Sequence, residues 1–280
     1  MRNLWNIFLF LVILFSLIDI GNAGSITLKV GFKINETLRG NLQEIPINIS
    51  IKNLGDEPCY NVHLRALTLG NLSDHLFVGR IDPLESVNFS SKIILRKDLL
   101  EGEYMLVFLI SYKDANGYPF SAIVFRATPI IVEEPTLSDV NLFLETQPLE
   151  EGESSYINLT ILNNAKEPRE VKIRFFAPRE IRVEKETLEL YLDAKELKKL
   201  RVNIRNFGGL SGSKYVLLAY LEYIKDSKHF IAYSPGMVEI TSKEKKSKHS
   251  SLSPLFDGKF IFILIFLLLV GLLLLQIKRK

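Results

Sequence analysis

Four histidines, one cysteine and five Asn-x-Ser/Thr triplets are the side chains of this 280-residue sequence whose types could do chemistry or receive it. A hydrolytic metal centre draws on His and carboxylate ligands at short spacing, and His63, His75, His229 and His249 fall into neither an H-E-x-x-H nor an H-x-H pattern. Asp74-His75 is the only adjacent acid and histidine, and it reads as a polar loop after Asn71. No G-x-S-x-G elbow is present, and Cys59 has no strand-to-helix turn to expose it as a nucleophile, so it reads as a small apolar filler. Asp114-Ala115-Asn116-Gly117 begins like a calcium loop but lacks the bidentate acid further along, which favours a hairpin. Together these residues predict no enzyme, no metal and no cofactor.

The five triplets are acceptor sequons headed by Asn35, Asn48, Asn71, Asn88 and Asn158. Alternation sets Asn48, Asn88 and Asn158 opposite the apolar neighbours Ile47 and Ile49, Val87 and Phe89, and Ile157 and Leu159, so these three are expected to point outward. They are the candidate modification sites.

The elements that must position these residues are strands. Ile45, Ile47, Ile49 and Ile51 alternate with Pro46, Asn48, Ser50 and Lys52, which is the period of a strand with one buried face. About seven such segments are read in the first copy of a repeat, near 25–34, 45–53, 58–69, 75–81, 86–95, 103–113 and 119–132. INISIKNLGDEP at 47–58 matches INLTILNNAKEP at 157–168, pairing Asn53 with Asn163 and Pro58 with Pro168. Further on the offset grows by one, and Asp82 meets Asp193, Glu85 meets Glu196, Tyr104 meets Tyr215 and Tyr112 meets Tyr223. A period near 110 residues means duplication of a whole domain, because solenoid repeats run at about 20–50 residues. The prediction is an all-β protein with two tandem immunoglobulin-like β-sandwiches, at 24–133 and 134–241, joined at Glu133-Glu134-Pro135-Thr136.

Apolar blocks lie toward both ends, at 4–18 and 260–275. The first follows Arg2 and gives way to small residues, which predicts an export signal over 1–23 cut between Ala23 and Gly24. The second has 16 residues, FIFILIFLLLVGLLLL, and spans about 24 Å as a helix against a hydrocarbon core of roughly 30 Å. Flanking lysines can extend to the interface, so a single transmembrane helix is expected over 258–277. A Lys/Ser-rich stalk at 242–257 precedes it, and a tail at 278–280 is left in the cytoplasm while the sandwiches face outward.

A lone cysteine rules out an intrachain disulfide, so the fold must rest on its core. Scarce Gln, Met and Cys with abundant Lys, Glu, Ile and Leu resemble hyperthermophile usage. Acids and bases nearly balance, at 32 against 35, which argues against a nucleic-acid partner. A sugar would need an aromatic platform, and the single tryptophan, Trp5, leaves with the signal. Carbohydrate binding therefore has only Tyr and Phe to draw on.

The runs IPINISIKNLGDEPCYNVHLRAL, RIDPLESVNFSSKI and LLEGEYMLVFLISYKDANGYPF resemble the CARDB-like and alpha-galactosidase-associated sandwich domains of archaeal S-layer-type, membrane-anchored surface proteins. The family's Pro-Gly-Glu turn stands here as Pro83-Leu84-Glu85, and Ala165 takes the Gly of Asn-x-Gly in the second copy. The resemblance implies a tandem surface module without catalysis. The expected function is a non-catalytic cell-surface protein for protein interaction or envelope structure, and the alternative is an accessory subunit of a membrane transport complex such as an ABC exporter. Asymmetry between the copies points the same way: the richer loops and four of the five sequons fall in the first, which predicts that recognition sits there and that the second acts as a spacer.

Overall fold

The structure, a computed structural model, describes residues 25–40, 42–73 and 76–242. The signal at 1–23 with its cut at Ala23 and Gly24, the stalk beyond Ser242, the span at 258–277 and the tail lie outside the described residues. Every element among the described residues is a strand, and none is a helix long and apolar enough to cross a membrane.

The first half comprises β1 (Leu28–Ile34), β2 (Thr37–Leu38), β3 (Glu44–Asn53), β4 (Cys59–Ala66), β5 (Gly70–Leu72), β6 (Leu76–Phe77), β7 (Arg80–Ile81), β8 (Ser86–Leu95), β9 (Glu101–Tyr104), β10 (Val107–Lys113), β11 (Pro119–Phe125) and β12 (Ile130–Val132). The second comprises β13 (Val140–Glu145), β14 (Leu149–Glu150), β15 (Ser154–Asn163), β16 (Arg169–Phe176), β17 (Ile181–Val183), β18 (Thr187–Leu192), β19 (Leu197–Asn206), β20 (Lys214–Lys225) and β21 (Lys228–Thr241). Sheets ordered β1-β3-β8-β5 and β11-β10-β4-β6 belong to the first half, and β13-β15-β19-β17 to the second. The fourth sheet, ordered β18-β16-β20-β21-β9-β12-β2, takes strands from both.

Period-two alternation builds these sheets as expected. Ile45, Ile47, Ile49 and Ile51 on β3 turn inward onto Val62, Leu64, Phe108 and Ile110, while Ile157, Leu159 and Ile161 on β15 do the same against Val171, Ile173, Leu217 and Ala219. Each fully buried isoleucine contributes about 1.5–3 kcal/mol over its exposed state. Each half thus gains its own apolar core, and a third apolar cluster lies between them.

The strand count differs from the seven read per copy, because several segments change sheets. The segment at 103–113 divides into β9, which joins the fourth sheet, and β10, which stays in the first half. The segment at 119–132 divides likewise into β11 and β12. Thr68 stitches the first break: its Oγ1 donates to the Met105 carbonyl at 2.5 Å and accepts the Val107 N–H at 2.9 Å. A side chain thus replaces the ladder partner that a continuous strand would have supplied.

The repeated residues form the same corner twice. Asn53 is fully buried, its Nδ2 donating to the carbonyls of Glu57 (2.7 Å) and Ile81 (3.3 Å) while its Oδ1 accepts the Gly55 N–H (3.0 Å). Asn163 repeats this with Glu167 (2.9 Å), Asp193 (2.8 Å) and the Ala165 N–H (3.0 Å). Glu85 and Glu196 each accept the N–H of the aspartate three residues earlier at 2.7 Å. The turn residues between them, Leu84 (φ 64°) and Lys195 (φ 61°), are both left-handed, where glycine would sit without strain.

Candidate binding surface at the junction of the two halves

The two halves meet through backbone, apolar packing and buried polar groups. Lys228 and His229 of β21 pair in parallel with Glu101 and Gly102 of β9. Gly102 holds a φ of 136°, and a Cβ there would stand 2.0 Å from the His229 carbonyl oxygen, so only glycine allows the approach. The expected linker is pinned: Thr136 is buried, donates to the His229 carbonyl at 2.7 Å and accepts the Glu103 N–H at 3.2 Å. Met105, Val107, Leu109 and Ile123 of the first half pack on Leu218, Tyr220 and Ile231 of the second.

His229 stands at the centre of this seam. Its ring stacks on Tyr104 with centroids 4.1 Å apart and planes 3° apart. Nδ1 lies 2.7 Å from the Glu103 carbonyl, and Nε2 lies 3.5 Å from the Glu222 carboxylate, which Arg174 also pairs at 3.0 Å. Burial would raise the Glu222 carboxyl, but His229 and Arg174 outweigh it and hold the group below the usual carboxylate range. Both nitrogens of His229 face protein oxygens, so the ring works as a strut across the seam.

At another edge of the junction a second set of contacts positions an exposed aromatic ring. Glu180, buried in the second half, accepts the Ser121 N–H and hydroxyl of β11 at 2.6 Å each, and the Ser121 Oγ in turn accepts the Arg179 N–H at 2.8 Å. This carboxylate caps a strand edge of the opposite half. Nearby, buried Asn206 closes the loop that follows β19: its Oδ1 accepts the N–H groups of Gly208 (3.2 Å) and Gly209 (2.6 Å), and its Nδ2 donates to the Gly209 carbonyl (2.9 Å). Tyr118 reaches across from the first half to donate to the Gly208 carbonyl at 2.7 Å. The Phe207 N–H donates to the Glu180 carbonyl at 2.7 Å, yet its side chain is 67% exposed. Phe207 lines three adjoining grooves of about 430, 450 and 600 Å³.

The residues singled out in the sequence are scattered by comparison. Asn35, Asn48, Asn71 and Asn88 are exposed and Asn158 is half-buried. Two sequons interlock: Asn48 faces Ser90 and Ser50 faces Asn88 across β3 and β8, and the Ser90 hydroxyl donates to Asn48 Oδ1 at 2.6 Å. Cys59 is fully buried in the first core, its Sγ 3.7 Å from the Ile81 carbonyl, and burial pushes the thiol up. Asp114 forms a hairpin turn, its Oδ1 accepting the N–H groups of Asn116 (2.9 Å) and Tyr118 (2.8 Å). His63 packs against Phe77, while His75 and His249 lie outside the described residues. Among the described residues no group of three or more His, Cys, Asp or Glu side chains is placed to hold a metal.

Sequence reasoning missed His229, Glu180 and Phe207. For the first two no local signal exists, because their partners lie in the other half. For Phe207 a signal was present: Asn-Phe-Gly-Gly ends an alternating strand and places an aromatic where a turn should be polar.

No protein-family model matches the sequence, and no curated protein does. Among solved structures, the native form of E. coli alpha-2-macroglobulin overlays with a TM-score of 0.31 at 12% identity, covering 76% of this chain and 17% of that one. Red sea bream transglutaminase gives a TM-score of 0.27 at 8% identity, covering 77% of this chain and 31% of that one. The E. coli chaperone DraB gives 0.27 at 15% identity, over 35% of this chain and 54% of that one. Overlaps of that quality do not define a shared fold.

Proposed function

We propose that this chain is a non-catalytic, membrane-anchored surface protein whose two immunoglobulin-like sandwiches, each built on about seven principal strands, hold a protein partner outside the cell. The supporting observation is the fusion of the halves through β21 and β9, with Gly102 admitting the close approach and His229 and Thr136 buried in the seam. Fusion fixes the spacing of loops from both halves before a partner arrives, which lowers the ordering cost of binding. The sequence supplies the remaining parts of the reading: a signal over 1–23, a stalk over 242–257, a transmembrane helix over 258–277 and a cytoplasmic tail of three residues.

Protease treatment of intact cells carrying the full chain is expected to degrade residues 24–255 and spare the anchor. Full protection of the sandwiches would overturn the topology. Cross-linking followed by purification from detergent extracts then separates partners: surface or envelope proteins are expected, whereas permease subunits would mark an accessory subunit of a transport complex. Sugar is proposed at Asn35, Asn48, Asn71, Asn88 and Asn158. Because Asn48 and Asn88 share one cross-strand patch, glycopeptide masses should show each modified in different molecules and not both in one.

A further inference from the structure

Among the described strands some charges face their opposites and others face their like, Lys29 with Lys52, Lys225 with Lys228 and Arg182 with Arg205, and of these three the arginine pair lines a groove. Lys172 faces Glu189 and Lys214 faces Glu239 in register. Arg182 of β17, by contrast, lies directly opposite Arg205 of β19. Like charges in that position repel and weaken the pair. Arg65, Arg179 and Lys113 are exposed on the same connected set of grooves, and among the described residues none of these five cations has a carboxylate within ion-pair distance. Two exposed acids share the grooves, Glu184 and Glu186, and Asn203 already donates to Glu184 at 2.7 Å. Glu180 is taken up by Ser121.

Phe207 stands among these cations on a loop held from both halves, and an exposed aromatic held this firmly is the form an interface anchor takes. Beside it the groove of about 450 Å³ runs between the halves over an apolar floor of Leu67, Leu109, Phe175 and Phe176, with Arg65, Arg179 and Arg182 along its rim. Guanidinium groups grip carboxylates through two parallel hydrogen bonds, and an apolar floor takes side chains that a sulfated or carboxylated polysaccharide does not carry. We propose that this surface docks an extended, acidic segment of a partner polypeptide with apolar side chains between its carboxylates. The proposal rests on the protein-partner reading of function and gives that partner a chemistry and a place.

The full chain in detergent is titrated against a fluorescent eight-residue peptide alternating Glu with Phe and Leu, followed by anisotropy at low and high salt. Saturable, salt-sensitive binding is expected, weakened about tenfold by Phe207→Ala and about a hundredfold by Arg182→Glu with Arg205→Glu, while Lys199→Glu leaves it unchanged. The neutral pair Arg182→Gln with Arg205→Gln removes the repulsion, so it should melt no lower than the parent and still lose binding, which a purely structural role for the arginines would not produce. Absence of saturable binding, or binding untouched by the charge variants, overturns the proposal. Tighter binding of dextran sulfate that ignores Phe207→Ala overturns it in favour of a polysaccharide. Cross-linking on intact cells keeps the two readings apart: the same protein captured by parent and neutral pair leaves the partner reading standing and removes this surface, whereas no protein captured by the parent removes the partner reading itself.

Discussion

The two halves share a corner and differ at their seam. Asn53 and Asn163 make matching sets of hydrogen bonds, and the glutamates at 85 and 196 close matching turns. Yet the residue after the shared proline is Cys59 in one half, buried in the core, and Arg169 in the other, paired with Asp139 at 2.8 Å. The first half lends β9, β12 and β2 to the sheet of the second, and among the described strands the second lends none in return. The halves agree in the corner that closes each and differ in what joins them.

The sharpest way to break this comparison is Gly102→Ala. A Cβ would overlap the His229 carbonyl, and the expected loss exceeds about 4 kcal/mol, with β9 leaving β21. Thermal melting followed by circular dichroism should then show two transitions, against the single one expected of the parent. A single transition at the parent temperature would mean that the halves are not coupled through this bridge.

Next in size are the corners. Asn53→Ala and Asn163→Ala each strand buried backbone groups and should each cost roughly 3 kcal/mol in chemical denaturation. Unequal losses would show that the shared geometry carries unequal weight.

The Asp139–Arg169 pair gives the second half a pH dependence at the position where the first half buries Cys59. Burial raises the Asp139 carboxyl, but bonds from Arg169 and Tyr223 outweigh it and hold it below the usual range. A carboxyl lowered on folding stabilises fully above its unfolded value of about 3.9, and that contribution disappears as pH falls through the folded value. Asp139→Asn should therefore lower stability by roughly 3 kcal/mol at neutral pH, and the difference from the parent should shrink in acid. A difference independent of pH would point to packing instead.

The smallest effect is a gain. Leu84→Gly and Lys195→Gly relieve left-handed backbone at equivalent turns and should each add about 1 kcal/mol. Gain at one turn and loss at the other would show that the turns are not equivalent.

Much of this fold was legible because burial imposes a period of two, and the isoleucines of β3 and β15 display it without interruption. The repeat also marked the corner residues, although not their hydrogen bonds. Alternation cannot say which sheet a strand enters. Residues 104–110 are all buried, so the break between β9 and β10 leaves no trace in the pattern. Recognition was expected in the first copy, whereas the surface proposed here draws Phe207, Arg182 and Arg205 from the second and closes only with Tyr118 and Arg65 from the first. A surface built from both copies leaves only a fragment of its signature in either one, here the aromatic of Asn-Phe-Gly-Gly.

The last strand has a mechanical side. β21 runs for 14 residues, about 46 Å at the usual rise, from the β9 bridge to the point where the chain leaves for residue 243. Twelve of its residues are registered against β20. A pull applied at Thr241 along the strand axis would cross hydrogen bonds that lie perpendicular to it and load the ladder in shear. The rungs share the force instead of opening one after another, and the same strand carries the remaining load directly to the first half.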